Sequence, residues 1–231
     1  MTALTAAAVV MFVLLGRWQW HRAAEKRAVA SAFVAGAAAA PSALGSRSTA
    51  ELARYMPVVV TGHYDTVHQF LLDNISHGRR TGYEVLTPFR LTDGRWLLVN
   101  RGWIALPNNR RDTLPDLTMA GVTLEQVSGR VDSLPVTGLA VGQAAPAPGE
   151  DWPKRTSFPT TTQLGAALGV RLEPRQLLLG ATEAFGYARD WRSASAGFGP
   201  ERHLGYAVQW WGFAGLSVFL YLFMNLERRR P

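Results

Sequence analysis

From Leu204 to Met224 the chain runs for twenty-one residues without a formal charge. As a helix this run reaches about 31 Å, the thickness of a bilayer's hydrocarbon core. Residues 2–15 (TALTAAAVVMFVLL) form a second uncharged run. Alone it covers only about 21 Å. Gly16 to Trp20 make up the length, with Trp18 and Trp20 suited to the interface and Arg17 able to snorkel. A retained anchor is favoured over a cleaved signal, since no Lys or Arg precedes the apolar run and no small-x-small site follows it before the charges. The rest of the chain is then held between two anchors.

The net charge of +7 raises the question of nucleic acid. Segments 17–27 and 201–231 hold eight basic and three acidic residues, whereas 28–200 hold sixteen and fourteen. The basicity therefore belongs to the membrane flanks, and no basic stripe interleaved with aromatics remains to follow a phosphate backbone. No nucleic-acid partner is expected. The lipid bilayer is.

Arg228, Arg229 and Arg230 favour a cytoplasmic C-terminus, which puts His203 and the large middle segment outside. Arg17, Arg22, Lys26 and Arg27 then lie outside too, against the positive-inside tendency. That tendency fades for loops longer than roughly 60 residues, as this one is. Both termini are expected inside. The absence of cysteine excludes disulfides, covalent haem attachment and thiol-based metal carriage.

The expected organisation is a first span (1–20), a helical extension and linker (21–48), an extracytoplasmic domain (49–202), a second span (203–224) and a basic tail (225–231). Helix formers continue the first helix to about Ala40, before Pro41. Strands are expected at 57–64, 67–73, 82–91, 95–104, 122–132 and 176–184, with a short helix at 162–168. Thr92-Asp93-Gly94 reads as a three-residue hairpin loop with a left-handed glycine. Residues 135–152, rich in Gly, Pro and Ala, read as a loop. The fold class is a membrane protein with two transmembrane helices flanking a mainly β domain, an antiparallel sandwich or partly closed barrel with a short helix.

Few residues suggest chemistry. His63 and His68 are five apart, which puts them on opposite faces of a strand; His77 lies in a polar stretch. His63 and Asp65 share a face, yet Asp65 reads more simply as a turn residue. Neither these nor Ser76 with His77 come with a hydrolase elbow, a phosphate-binding loop or a zinc-protease motif, so no enzyme and no directly bound metal are expected. Asn100, Arg101, Gly102 and Trp103 interrupt an apolar strand. One reading makes Gly102 a bulge, with Arg101 facing solvent or paired with a carboxylate; the other makes the four a surface knob for a partner. His203 reads either as a wetted interfacial side chain or as an axial ligand to haem iron through its imidazole lone pair. Tyr206, Ala207 and Trp210 follow at helical spacing on its face, an aromatic surface for a porphyrin. Arg202, Arg17, Arg22 and Lys26 supply cations for propionates.

Three stretches together resemble the surfeit-locus-one (Surf-one) family of cytochrome c oxidase assembly factors. The first comprises Gly16, Trp18, Gln19, Arg22 and Lys26 at the end of the first span. The second comprises Gly82, Tyr83, Val85, Thr87, Pro88, Asp93, Gly94 and Leu98 to Trp103. The third comprises His203, Tyr206, Ala207 and Trp210. The resemblance implies a two-span protein with a mostly β domain on the outer face of the membrane. It implies no catalysis. Its work would be biogenesis of haem-copper oxidase, by holding haem a and helping its transfer into the catalytic subunit, with haem a synthase as a further partner. His203 matches the family's proposed haem ligand, with Trp18, Arg22, Lys26, Arg202, Tyr206 and Trp210 around it. Without an Arg-rich presequence, a bacterial inner membrane is expected rather than a mitochondrion. The rival class is a non-haem scaffold that docks nascent oxidase subunits through the β domain and the second span. A tethered extracytoplasmic hydrolase is a third class, and it lacks a nucleophile–base pair.

Overall fold

The computed structural model describes residues 2–107, 113–136, 145–191 and 199–227. The expected basic cluster Arg228–Arg230 and part of the expected 135–152 loop lie outside them. The chain divides into two compact units, Phe33–Trp191 and, separately, Met1–Ala32 with Arg192–Pro231. Helix α1 (Thr2–Ala38) opens the chain and stops just before Pro41, close to the expected Ala40.

The Phe33–Trp191 unit is built on eight strands: β1 (Ser42–Ala43), β2 (Pro57–Tyr64), β3 (Phe70–His77), β4 (Arg80–Leu91), β5 (Trp96–Ala105), β6 (Glu125–Asp132), β7 (Lys154–Thr156) and β8 (Gln176–Leu179). Helix α2 (Thr161–Leu168) lies between the last two. The order across the sheet is β1-β2-β6-β8-β5-β4-β3-β7. A further β2–β4 pairing, Gly62↔Leu91 to Tyr64↔Phe89, brings five strands round into a partial ring rather than a complete barrel. The long β4 makes this possible, pairing along one edge first with β3 and then with β2.

The sheet is mixed, not purely antiparallel as expected. The pairs β1–β2, β3–β7 and β5–β8 are parallel. Strands of two to four residues make these joins, too short to carry a hydrophobic period. Two boundaries also shift. Asp65 accepts from the N–H groups of Val67 and His68, which delays β3 to Phe70, and β3 then runs on to His77. β8 ends at Leu179 rather than at 184, where Gly180 turns the chain and Arg189 bonds its carbonyl.

Inside the ring, Val58, Val60, Tyr64, Phe89, Leu97, Val99, Val127, Val131, Leu177 and Leu179 form one core. The alternation along β2 and β5 supplies it. On the other side of β5, Leu98 joins Phe70, Leu86 and Leu164 of α2 in a second core. Both faces of β5 are thus buried, which is why its sequence reads as a nearly continuous apolar run. A capping box between Thr160 and Gln163 starts α2, and left-handed Gly169 ends it. The Thr92–Gly94 loop is as expected, with Gly94 at φ +89° and Leu91 N–H bonded to Arg95 O at 2.8 Å. The last turns of α1 belong to this unit: Phe33 meets the Tyr55 ring edge-on at 5.1 Å, and Arg130 lies over Phe33 at 4.1 Å. The compact β unit therefore begins at Phe33, inside the helix and ahead of the boundary expected at 49.

The other unit pairs α1 with α3 (Pro200–Glu227). Both are long and apolar enough to cross a bilayer, and only 6% and 11% of their most apolar windows are covered by protein. A core helix of a soluble protein would be mostly covered, so these surfaces suit lipid. The two helices run antiparallel. Thr2 Oγ1 lies 2.9 Å from the Tyr221 hydroxyl, Phe12 stacks on Trp210 at 5.7 Å, and Gln19 reaches His203. The less exposed positions recur at alternating spacings of three and four: Phe12, Gly16, Gln19 and Ala23 on α1; His203, Ala207, Trp210, Ala214, Ser217 and Tyr221 on α3. That is a heptad seam, with Gly16, Ala23, Ala207 and Ala214 small enough to let the helices close.

Candidate functional site

His203 stands one turn into α3, at the end of the helix pair that carries Arg22, Lys26 and Arg202. Its Nδ1 lies 2.6 Å from Oε1 of Gln19, one seam residue meeting another. The ring is partly exposed, and no described residue bonds its Nε2. In the tautomer that leaves Nε2 unprotonated, this imidazole would offer the kind of nitrogen donor that ligates haem iron.

The surrounding residues divide. Ala207 is fully buried on the seam. Trp210 is taken up there too, stacked on Phe12 and edge-on to Phe213 at 5.8 Å. Tyr206 turns off the seam and is 40% exposed. The single aromatic face expected from helical spacing is therefore split: Trp210 packs the helices, and Tyr206 alone of the pair is offered outward. Trp18 is also exposed, at 52%. Arg22 forms a 2.9 Å salt bridge with Glu25, three residues on and open to solvent. Lys26 is half-buried on the α1 seam and Arg202 is exposed. An imidazole, the outward Tyr206 and the cations at this end of the helix pair are the residue types that a haem site would draw on.

Gln19 is the residue that sequence reasoning passed over. It stood within a matched motif without a role. The available signal was its place at heptad spacing between Gly16 and Ala23, a carboxamide among small and apolar side chains.

The surface reading of LVNRGW is corrected. Asn100 and Arg101 are 0% and 1% exposed, and Gly102 is buried; only Trp103 is half-buried. Glu84 pairs with Trp103 and Leu86 with Asn100, so Val85 faces two residues and the bulge sits at Arg101-Gly102. Gly102 takes φ +105°, and a Cβ there would meet Ala188 O. The bulge turns Arg101 inward. Its guanidinium donates to Thr87 Oγ1 (2.7 Å), Gln69 Oε1 (2.6 Å), Phe185 O (2.8 Å) and Leu117 O (3.4 Å), and lies over the Tyr187 ring at 4.9 Å. Among the described residues no carboxylate pairs with it, and burial pulls it below the usual arginine value. Asn100 donates to Glu84 Oε2 at 2.8 Å and to Gln176 Oε1 at 3.2 Å. Trp103 donates its indole N–H to Ile75 O at 2.9 Å. These four residues hold the β unit together from within.

The histidines of that unit are dispersed. His68 Nδ1 is 2.8 Å from Asp65 Oδ2, His77 Nε2 is 3.2 Å from Asp190, and His63 is exposed. Among the described residues no three potential ligands gather into a metal site.

No curated protein matches the chain at a significant level. The sequence model of the SURF1 family matches residues 6–215, from within the first span to within the second. It takes in Gln19, the partial ring and His203 together. The chain belongs to the SURF1 family, a family of cytochrome oxidase assembly factors, and is a membrane protein with two spans.

Proposed function

We propose that this protein assists biogenesis of a haem-copper oxidase by holding haem a at the outer rim of a bacterial inner membrane and helping its transfer into the catalytic subunit. The carrying observation is His203, partly exposed at the cation-bearing end of the helix pair, with no partner for Nε2 among the described residues. In this reading Nε2 would ligate the haem iron, Tyr206 and Trp18 would be the exposed aromatic surfaces, and Arg202, Arg22 and Lys26 would meet the propionates. Haem supplies an iron that accepts one nitrogen lone pair; the chain supplies the pair and the site's edge. One ligand with partly exposed walls holds haem against free diffusion yet yields it to a tighter acceptor. Both termini are cytoplasmic and the β unit extracytoplasmic, with haem a synthase as the source of the cargo.

A visible spectrum of the detergent-purified protein, co-expressed with haem a synthesis, tests this. The wild type is expected to carry a haem absorbance that His203→Ala loses while insertion is kept. Unaltered absorbance in the variant overturns it. A second reading, a haem-free scaffold docking nascent oxidase subunits, is favoured by one observation: Trp210 is already spent on Phe12 and Phe213. Colourless preparations that still co-purify with the catalytic subunit would select it.

A further inference from the structure

The proposed ligand has a neighbour whose chemistry fixes which nitrogen is free. We infer that Gln19 is a positioning residue: it holds His203 with the proton on Nδ1 and so turns the Nε2 lone pair outward, toward iron. This rests on the haem-ligand reading but is tested apart from it.

A carboxamide oxygen can only accept a hydrogen bond. With Gln19 Oε1 at 2.6 Å from Nδ1, the imidazole nitrogen is the donor. A neutral imidazole carries one N–H, so Nε2 then holds the lone pair. Were the proton on Nε2 instead, two lone pairs would face one another across the contact and the outward nitrogen could not ligate. The contact is confined. Gln19 lies between Gly16, three residues before, and Ala23, four after, the two buried positions of α1. His203 lies four residues before fully buried Ala207. Both side chains are partly buried on the seam, where each is the other's means of avoiding an unmet polar group. An outer partner of this kind also raises the basicity of the ligating nitrogen, and its loss typically weakens metal affinity by about 10–100-fold.

The test uses the full chain in detergent micelles. In the haem-free protein at about pH 8.5, where imidazoles are neutral, ¹⁵N spectra of labelled histidine are recorded. The His203 signals are assigned by their loss in His203→Ala. The wild type is expected to show a protonated Nδ1 and a bare Nε2. Gln19→Leu should move the proton to Nε2 and weaken binding of titrated haemin by about 10–100-fold. Gln19→Glu, which still accepts, should keep the proton on Nδ1, keep haemin bound and lower the reduction potential of the bound iron. A wild-type spectrum with the proton on Nε2 overturns the inference, since Gln19 would then offer its NH₂ group. So does Gln19→Leu with unchanged tautomer and affinity. Loss of haemin in His203→Ala but not in Gln19→Leu sinks the role of Gln19 alone, whereas retention in His203→Ala sinks the ligand reading, whatever the tautomer.

Discussion

Arg101 donates from Nε to Thr87 Oγ1 at 2.7 Å, in the interior of the β unit and without a carboxylate among the described residues to balance it. Four acceptors from four separate stretches meet on this one guanidinium: Thr87, Gln69, Phe185 O and Leu117 O. Lysine has no planar fork to serve them together. Arg101→Lys is expected to destabilise the protein by about 2 kcal/mol or more, since each buried acceptor left unmet costs about 1–3 kcal/mol. Thermal unfolding of the detergent-solubilised full chain, followed by near-UV circular dichroism, reads this directly. An unchanged midpoint would show that the network is dispensable.

Glu173 ties the stretch after α1 to the β4–β5 loop. Its Oε2 accepts from Thr49 N–H and the Ser48 hydroxyl, both at 2.8 Å, and its Oε1 from Arg95 at 3.1 Å. Burial alone would raise this carboxyl, but the bonds from Thr49, Ser48 and Arg95 outweigh it and hold it below the usual 4.5. The stability it supplies is therefore fully present above pH 4.5 and is lost as pH falls through the lower folded value. Glu173→Gln should cost about 1.5–3 kcal/mol at pH 7, the range for hydrogen bonds to a charged group. It should also flatten the acid limb of the stability profile. A variant whose acid limb is as steep as the wild type's contradicts the assignment.

Glu84 has the opposite sign. Burial raises its carboxyl above 4.5, Asp132 adds to the rise, and the bond from Asn100 only partly opposes it. The folded state binds this proton more tightly than the unfolded chain, so stability falls as pH rises through the window between the two values. Glu84→Gln keeps an oxygen for Asn100 and removes the buried charge. It should be more stable than wild type at pH 7, with the difference vanishing below about pH 4.5. A variant less stable at pH 7 would mean that the charge itself is needed by Asn100.

The spans were legible because uncharged length is a bulk property that needs no partner to be read. β2, β4 and β5 were legible for a related reason: the β-branched run in PVVVTGHY, bounded by Pro and Gly, and the Asp93-Gly94 turn are local signals. What escaped is set by residues far apart in sequence. β1 and β7 are two and three residues long and exist only as parallel partners of β2 and β3. An arginine in a strand points outward by default; Arg101 points inward because Gly102 bulges and Gln69 lies thirty-two residues away to receive it. At the candidate site His203 was legible from its position, whereas Gln19 gains meaning only from a contact spanning 184 residues.

Gly16 lies under the indole of Trp211, and a Cβ at position 16 would run into that ring. Trp20, one turn along α1 from Gly16, also neighbours Trp211, at 5.9 Å between ring centroids. A bulky side chain at position 16 must displace this indole or push the helices apart, at a cost of about 1–3 kcal/mol for overpacking. The chain has no cysteine, so Thr2→Cys with Tyr221→Cys introduces a unique thiol pair where the native hydroxyls are 2.9 Å apart. A short thiol-reactive cross-linker should join the two thiols efficiently in the otherwise unaltered protein. Gly16→Leu should lower that yield, and adding Trp211→Ala should restore it by emptying the space the leucine needs. Equal yields in all three would show that the helices do not meet through this seam. Failure of the rescue alone would show that the close approach at Gly16 is made by the backbones rather than by the indole.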